Sequence, residues 1–270
     1  MTFWQKLANL DRRIIFGLMF LAVLLPLIFP LGLPIKGTQP PVKAIYDYIE
    51  KLPERSVVLI SISYDPSTIP ELYPMTLAVV RHCFRKNLRV LGVSLTITGV
   101  NIGADTLKTA AEEYHKQEGI DYVHLGFQTG LVTFGMGEDI HETYKTDYKR
   151  VSLEELPMMK DVRTYKDISL IVDYTASTTS YIGSAVTKYH AVLAVGVTAV
   201  GAADLYPYLQ THQIIGLLGG LRSAAEYEIL IDRPDKGVIR MDSQSIAHLL
   251  ILVLIVTGNI AYFITRRRKV

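Results

Sequence analysis

Three aspartates and a set of hydroxyls stand just after short apolar runs in this chain. They are Asp65, Asp173 and Asp204, accompanied by Ser67, Thr68, Thr175, Ser177 and Thr198. Carboxylates and hydroxyls gathered on one rim suit a hydrated cation or a polyol. The same residue types also cap helices and close tight turns, so a turn role is the default for any single one of them. Other chemistries lack their patterns. No G-x-x-x-x-G-K-[ST] occurs, and Gly135-Met-Gly137 has no third glycine for a dinucleotide loop. No G-x-S-x-G exposes a serine. His141-Glu142 has no second histidine, and His82 and Cys83 are neighbours on a predicted helix whose side chains diverge. No cofactor is indicated.

Asp65-Pro-Ser67 opens like the D-x-S-x-S metal motif of von Willebrand A domains, but Ile69 stands where the second serine belongs. Residues 65–93, with Asp65-Pro-Ser, Pro70-Glu-Leu and Arg89-Val-Leu-Gly-Val, resemble the amidotransferase-like modules of some membrane-anchored transport accessory proteins. The resemblance carries no catalytic motif and implies a scaffold role, since Cys83 falls inside a helix and not at a strand end.

The elements that would position the rim alternate. Val57–Ile62, Arg89–Leu95, Asp121–Phe127, Ile168–Asp173 and Ala191–Thr198 read as buried strands. Helices are predicted over 42–52, 68–86, 104–118, 177–189 and 204–215, with capping boxes at Thr68/Glu71 and Ser223/Glu226. Residues 128–163 break the alternation as a polar, glycine-rich insert with a helix start at Ser152. Buried strands alternating with helices predict an α/β fold: a Rossmann-like three-layer domain of about five parallel strands. The rim would then gather at the strand carboxyl ends, joined by Gln128 and Thr129.

Residues 14–35 and 243–265 contain no Asp, Glu, Lys or Arg, and each is long enough to cross a bilayer as a helix. They divide the chain into an interfacial segment 1–13, a span 14–35, a domain 36–242, a span 243–265 and a basic tail 266–270. Phe3, Leu7, Leu10 and Ile14, with Trp4 beside them, suit a short helix lying in the inner interface. Arg12, Arg13 and the run Arg266–Lys269 predict a cell-membrane protein with both termini cytoplasmic and the domain extracytoplasmic. No N-x-S/T sequon occurs, which favours a prokaryotic envelope. Pro26 and Pro30, at four-residue spacing with Pro34, remove backbone hydrogen bonds from one helix face, and Asn259 places an amide in the second span. Both invite helix–helix contact with a protein partner or a second copy. The apolar, glycine-rich stretch Ile214–Leu221, with Leu217, Leu218 and Leu221, is a further candidate for membrane or partner contact, or else a buried loop closing the core with Arg222, Glu226 and Glu228 at its solvated border.

A net charge of +2 over 270 residues excludes a nucleic-acid binder by composition. A single cysteine excludes an internal disulfide. The expectation is a non-enzymatic scaffold or sensor subunit of a membrane complex. The alternative is a ligand-binding or metal-dependent hydrolytic domain working from the polar rim.

Overall fold

The computed structural model describes residues 11–35, 37–128 and 131–267. Most of the interfacial segment, the end of the basic tail, and Thr129 and Gly130 therefore lie outside the described residues. The chain forms two compact units, Ile35–Gly237 and the paired ends Met1–Pro34 and Val238–Val270.

In chain order the elements are α1 (Arg12–Ile28), α2 (Pro40–Lys51), β1 (Val57–Ser63), α3 (Ile69–Arg85), β2 (Arg89–Ser94), α4 (Ile97–Glu113), β3 (Tyr122–Phe127), α5 (Val132–Glu138), α6 (Ile140–Tyr144), β4 (Leu170–Thr175), β5 (Leu193–Val197), α7 (Ala202–Gln210), β6 (Gly216–Gly219), α8 (Gly220–Leu230) and α9 (Lys236–Arg267). Three short 3₁₀ turns lie between α6 and β4, and a π-helical turn, Ile182–Val186, follows β4.

The sheet has six parallel strands in the order β3-β2-β1-β4-β5-β6, which is the Rossmann-like doubly wound arrangement. Alternating side chains feed two apolar layers. Val58, Ile60, Leu170, Val172 and Tyr174 face α3 and α8, while Leu59, Leu91, Ile171 and Val195 face the insert. Burial on both faces is why these strands read as near-continuous apolar runs.

The sixth strand corrects the expected count of five. It lies inside Ile214–Leu221, so Leu217 and Leu218 are buried in β6 and Leu221 in the first turn of α8. They pack the core and are not free for a membrane or a partner. Gly216 is needed there because a Cβ would strike the Ile45 side chain and the Pro41 carbonyl of α2, which covers this edge. Glu226 and Glu228 are also buried, not at a solvated border.

Neither predicted capping box of the domain forms. Thr68 makes no side-chain cap, and Glu71 instead accepts from the Ala199 N–H at 2.9 Å. Ser223 bonds back to Gly219, while Glu226 accepts from Gln39 N–H and Arg222 Nε. α4 begins seven residues before the predicted start, with the Thr96 side chain accepting from Gly99 N–H. Over 177–189 only the π turn and the helical turn Thr187–Tyr189 form, because residues 175–180 are held as a polar turn. Ser152 precedes a 3₁₀ turn, not an α-helix.

In the other unit, α9 is the one helix among the described residues that is long and apolar enough to cross a membrane. It carries exposed Leu252, Val253, Ile255, Val256 and Phe263, and Asn259 is exposed on it. α1 spans 17 residues and ends at Ile28, short of the predicted limit at residue 35. That length gives about 25 Å at 1.5 Å per residue. Pro26 is buried within α1, and Pro30 lies beyond its end. The stretch after α1 is fixed by Asp242, whose buried carboxylate accepts the N–H groups of Leu31, Gly32 and Leu33 at 2.9–3.0 Å.

Candidate functional site

Strand order reverses direction between β1 and β4, where doubly wound sheets open a crevice. After β1 the chain crosses to the face of α3, whose Leu72, Met75 and Val79 pack one layer. After β4 it crosses to the other face, where Tyr181 and Ala185 pack. Ser61 pairs in register with Asp173, and Ser63 with Thr175, so these four side chains share the insert-side face.

Most of the predicted rim is engaged in turns. The exposed Asp65 carboxylate accepts from Ser67 Oγ at 2.6 Å and Ser67 N–H at 2.8 Å, bonds that hold its pKa below the usual range. Thr68 Oγ1 donates to the Asp65 carbonyl. Thr175 Oγ1 donates to the Thr178 carbonyl, and Thr198 Oγ1 to the Ala176 carbonyl. Asp204 is exposed in the first turn of α7, where a carboxylate complements the helix dipole, and Ser177 is exposed in the turn after β4. The three aspartates therefore do not converge on one ligand position.

Asp173 stands apart, 1% exposed and without a hydrogen-bond partner at Oδ1. Burial raises its pKa to about 6, opposed by the nearby hydroxyls of Ser61, Thr179 and Ser63. The Tyr181 hydroxyl, which interacts electrostatically with Asp173, is also buried and unpartnered. Because the folded pKa is raised, the stabilisation linked to this group is complete below the unfolded value near 3.8 and is lost as pH rises through about 6. In a choline buffer free of metal ions, Asp173→Asn should abolish up to about 3 kcal/mol of stability change between pH 4 and pH 7. Denaturant titrations of both proteins across that range check it, and identical pH slopes would contradict it.

An apolar cleft that no sequence motif marks opens at the carboxyl ends of β2 and β3. Its volume is about 560 Å³, and it is lined by Leu95, Phe127, Leu131 and Phe134 with Gln128 and Ser180. Gly126, at φ +79°, breaks the β2–β3 register and sets the course of the chain into Phe127 and Gln128. Leu131 is 79% exposed at this cleft. Ile97 and Val200, on the segments after β2 and β5, are 73% and 89% exposed. Leu131, Phe134 and Ile97 thus follow the ends of β2 and β3, while Val200 follows β5 on the other flank of the sheet. The available signal was Leu131-Val-Thr-Phe134, an apolar run directly after a polar turn. A larger groove of about 900 Å³ runs along α4 and the β3 edge. Among its charges Lys108 pairs with Glu112 and Lys149 with Glu118, as on an ordinary solvated face.

The one cysteine and its neighbour His82 are withdrawn from solvent. Burial pushes the Cys83 thiol up to about 12. Burial also pushes His82 down to about 4, and its ring nitrogens lie 2.8 Å from Tyr227 Oη and 3.0 Å from Glu50. Among the described residues no group of three or more His, Cys, Asp or Glu side chains is placed to hold a metal ion. Compared with known proteins, the chain matches no family model, no curated protein and no solved structure.

Proposed function

We propose that this protein is a membrane-held, non-enzymatic sensor subunit whose α/β domain binds an apolar group in the strand-end cleft. The carrying observation is the cleft itself, on the carboxyl side of the sheet at the ends of β2 and β3, next to and not at the β1/β4 reversal, and bordered by exposed Leu131 and Phe134. Among the described residues no charged side chain lines it, which favours a neutral or amphipathic ligand over a phosphate or carboxylate. The buried Cys83 thiol and the neutral His82 support binding over catalysis. Leu131→Asp should remove any small molecule seen by native mass spectrometry of protein gently extracted from its own membranes. Retention of the same mass by Leu131→Asp would sink this reading.

In this account α1 and α9 both lie in the membrane, with the termini inside and the domain outside, and the exposed Asn259 contacts a partner subunit. Charge placement supports the orientation. Buried Cys83 allows a direct test, because an introduced cysteine is then the reactive thiol. Lys108→Cys, at a side chain 71% exposed, should react with a membrane-impermeant maleimide in whole cells. Labelling only after lysis would place the domain inside.

A cation or polyol domain using the polar rim is the second reading. Asp173 favours it, but Asp65, Thr68, Thr175 and Thr198 are already used in turns.

A further inference from the structure

We propose that Asp173 is the carboxylate of a buried monovalent-cation site, completed by the hydroxyls of Ser61, Ser63, Thr179 and Tyr181. This assignment does not depend on the cleft reading. The register of β1 and β4 places Ser61 directly beside Asp173 and Ser63 beside Thr175. Ser61 Oγ and Ser63 Oγ are 2.9 Å apart, and with the Thr179 hydroxyl they are the side chains acting on the Asp173 carboxyl. The Tyr181 hydroxyl approaches the same Ser61. Two oxygens in this group, Asp173 Oδ1 and Tyr181 Oη, are buried with no partner. Unsatisfied polar atoms so placed in a protein interior call for a water or an ion.

Charge decides between them. A buried carboxylate without a counter-charge is strongly disfavoured. Among the described residues, no Lys, Arg or His acts on Asp173. The titratable groups that interact with it are Tyr181, from the segment after β4, and Tyr165, from the insert, with Tyr144 interacting with both; burial raises all three, keeping them un-ionised. β1 and β5 contribute serines and Val195. One positive charge neutralises the site. A divalent ion would leave a buried positive charge, and the hard oxygen set matches an alkali cation. Thr179 and Tyr181 flank Ser180, which lines the cleft, so a bound ion would fix that wall.

The test is thermal unfolding of the full chain in detergent at pH 8, at constant ionic strength, with choline chloride replaced stepwise by sodium, lithium or potassium chloride. The expected result is a saturable rise in Tm of about 5 °C with at least one alkali ion. Asp173→Asn should show no such rise, and should melt above the unsubstituted protein in choline. Ser63→Ala should keep the fold and shift the half-saturating concentration upward by about tenfold, a loss of roughly one hydrogen-bond-strength contact. Equal Tm values in choline and all three alkali salts would overturn the proposal and leave a proton or a water at Asp173. Should Asp173→Asn not fold, a Ser63→Ala titration superimposable on the unsubstituted protein would overturn it equally.

Discussion

Replacing Glu228 by Ala should destabilise the Ile35–Gly237 unit by about 3–5 kcal/mol, from the loss of two charge-assisted hydrogen bonds and the exposure of their donors to an apolar interior. Glu228 is 1% exposed, and its carboxylate accepts from Asp235 N–H at 2.9 Å and Gly237 N–H at 2.8 Å. Those amides open α9, where donors have no helical partner and a negative charge is favoured. The fit is close on both sides, because a Cβ on Gly237 would meet the Glu228 carboxylate at 2.8–3.0 Å. Glu228→Gln keeps one acceptor oxygen and should cost less than half as much. Denaturant titration of the two variants measures the difference, and equal losses would show that packing, not acceptance, is what Glu228 provides.

Gly196→Val should be the most damaging single substitution in the sheet, costing upward of about 3 kcal/mol and abolishing folding if the strands cannot separate. Gly196 pairs with Tyr174 in register. An added Cβ would overlap the Tyr174 ring and lie 3.0 Å from Met75 Sδ. Tyr174 is fully buried, so the ring has no outlet. Shortening it should rescue the defect. Gly196→Ala with Tyr174→Leu should be more stable than the sum of the two single changes, by about 1–3 kcal/mol of coupling. Additive losses would mean that Gly196 serves the strand backbone alone.

The parts of this structure legible in the sequence are those fixed by burial period. β1 to β5 and the insert after β3 announce themselves as apolar runs bounded by turn residues, because a parallel sheet buries both faces. β6 was hidden because four residues between glycines look the same as a membrane-seeking loop until α2 is seen to cover them. The capping boxes failed for a specific reason: Glu71 and Glu226 found acceptor roles on distant amides, Ala199 and Gln39, that no local spacing reveals. Asp173 was legible as a residue type at a strand end, but its burial depends on which face of β4 the insert covers. The cleft was not legible, since Leu95, Phe127 and Leu131 come from two strand ends and meet only once β2 and β3 are paired.

The most direct test of a binding role for the strand-end cleft is photo-crosslinking from position 131 in native membranes, with position 108 on α4 as the control. The account predicts a discrete adduct from position 131 that is absent from position 108 and is competed by an apolar ligand. Indistinguishable crosslinking from the two positions would contradict it.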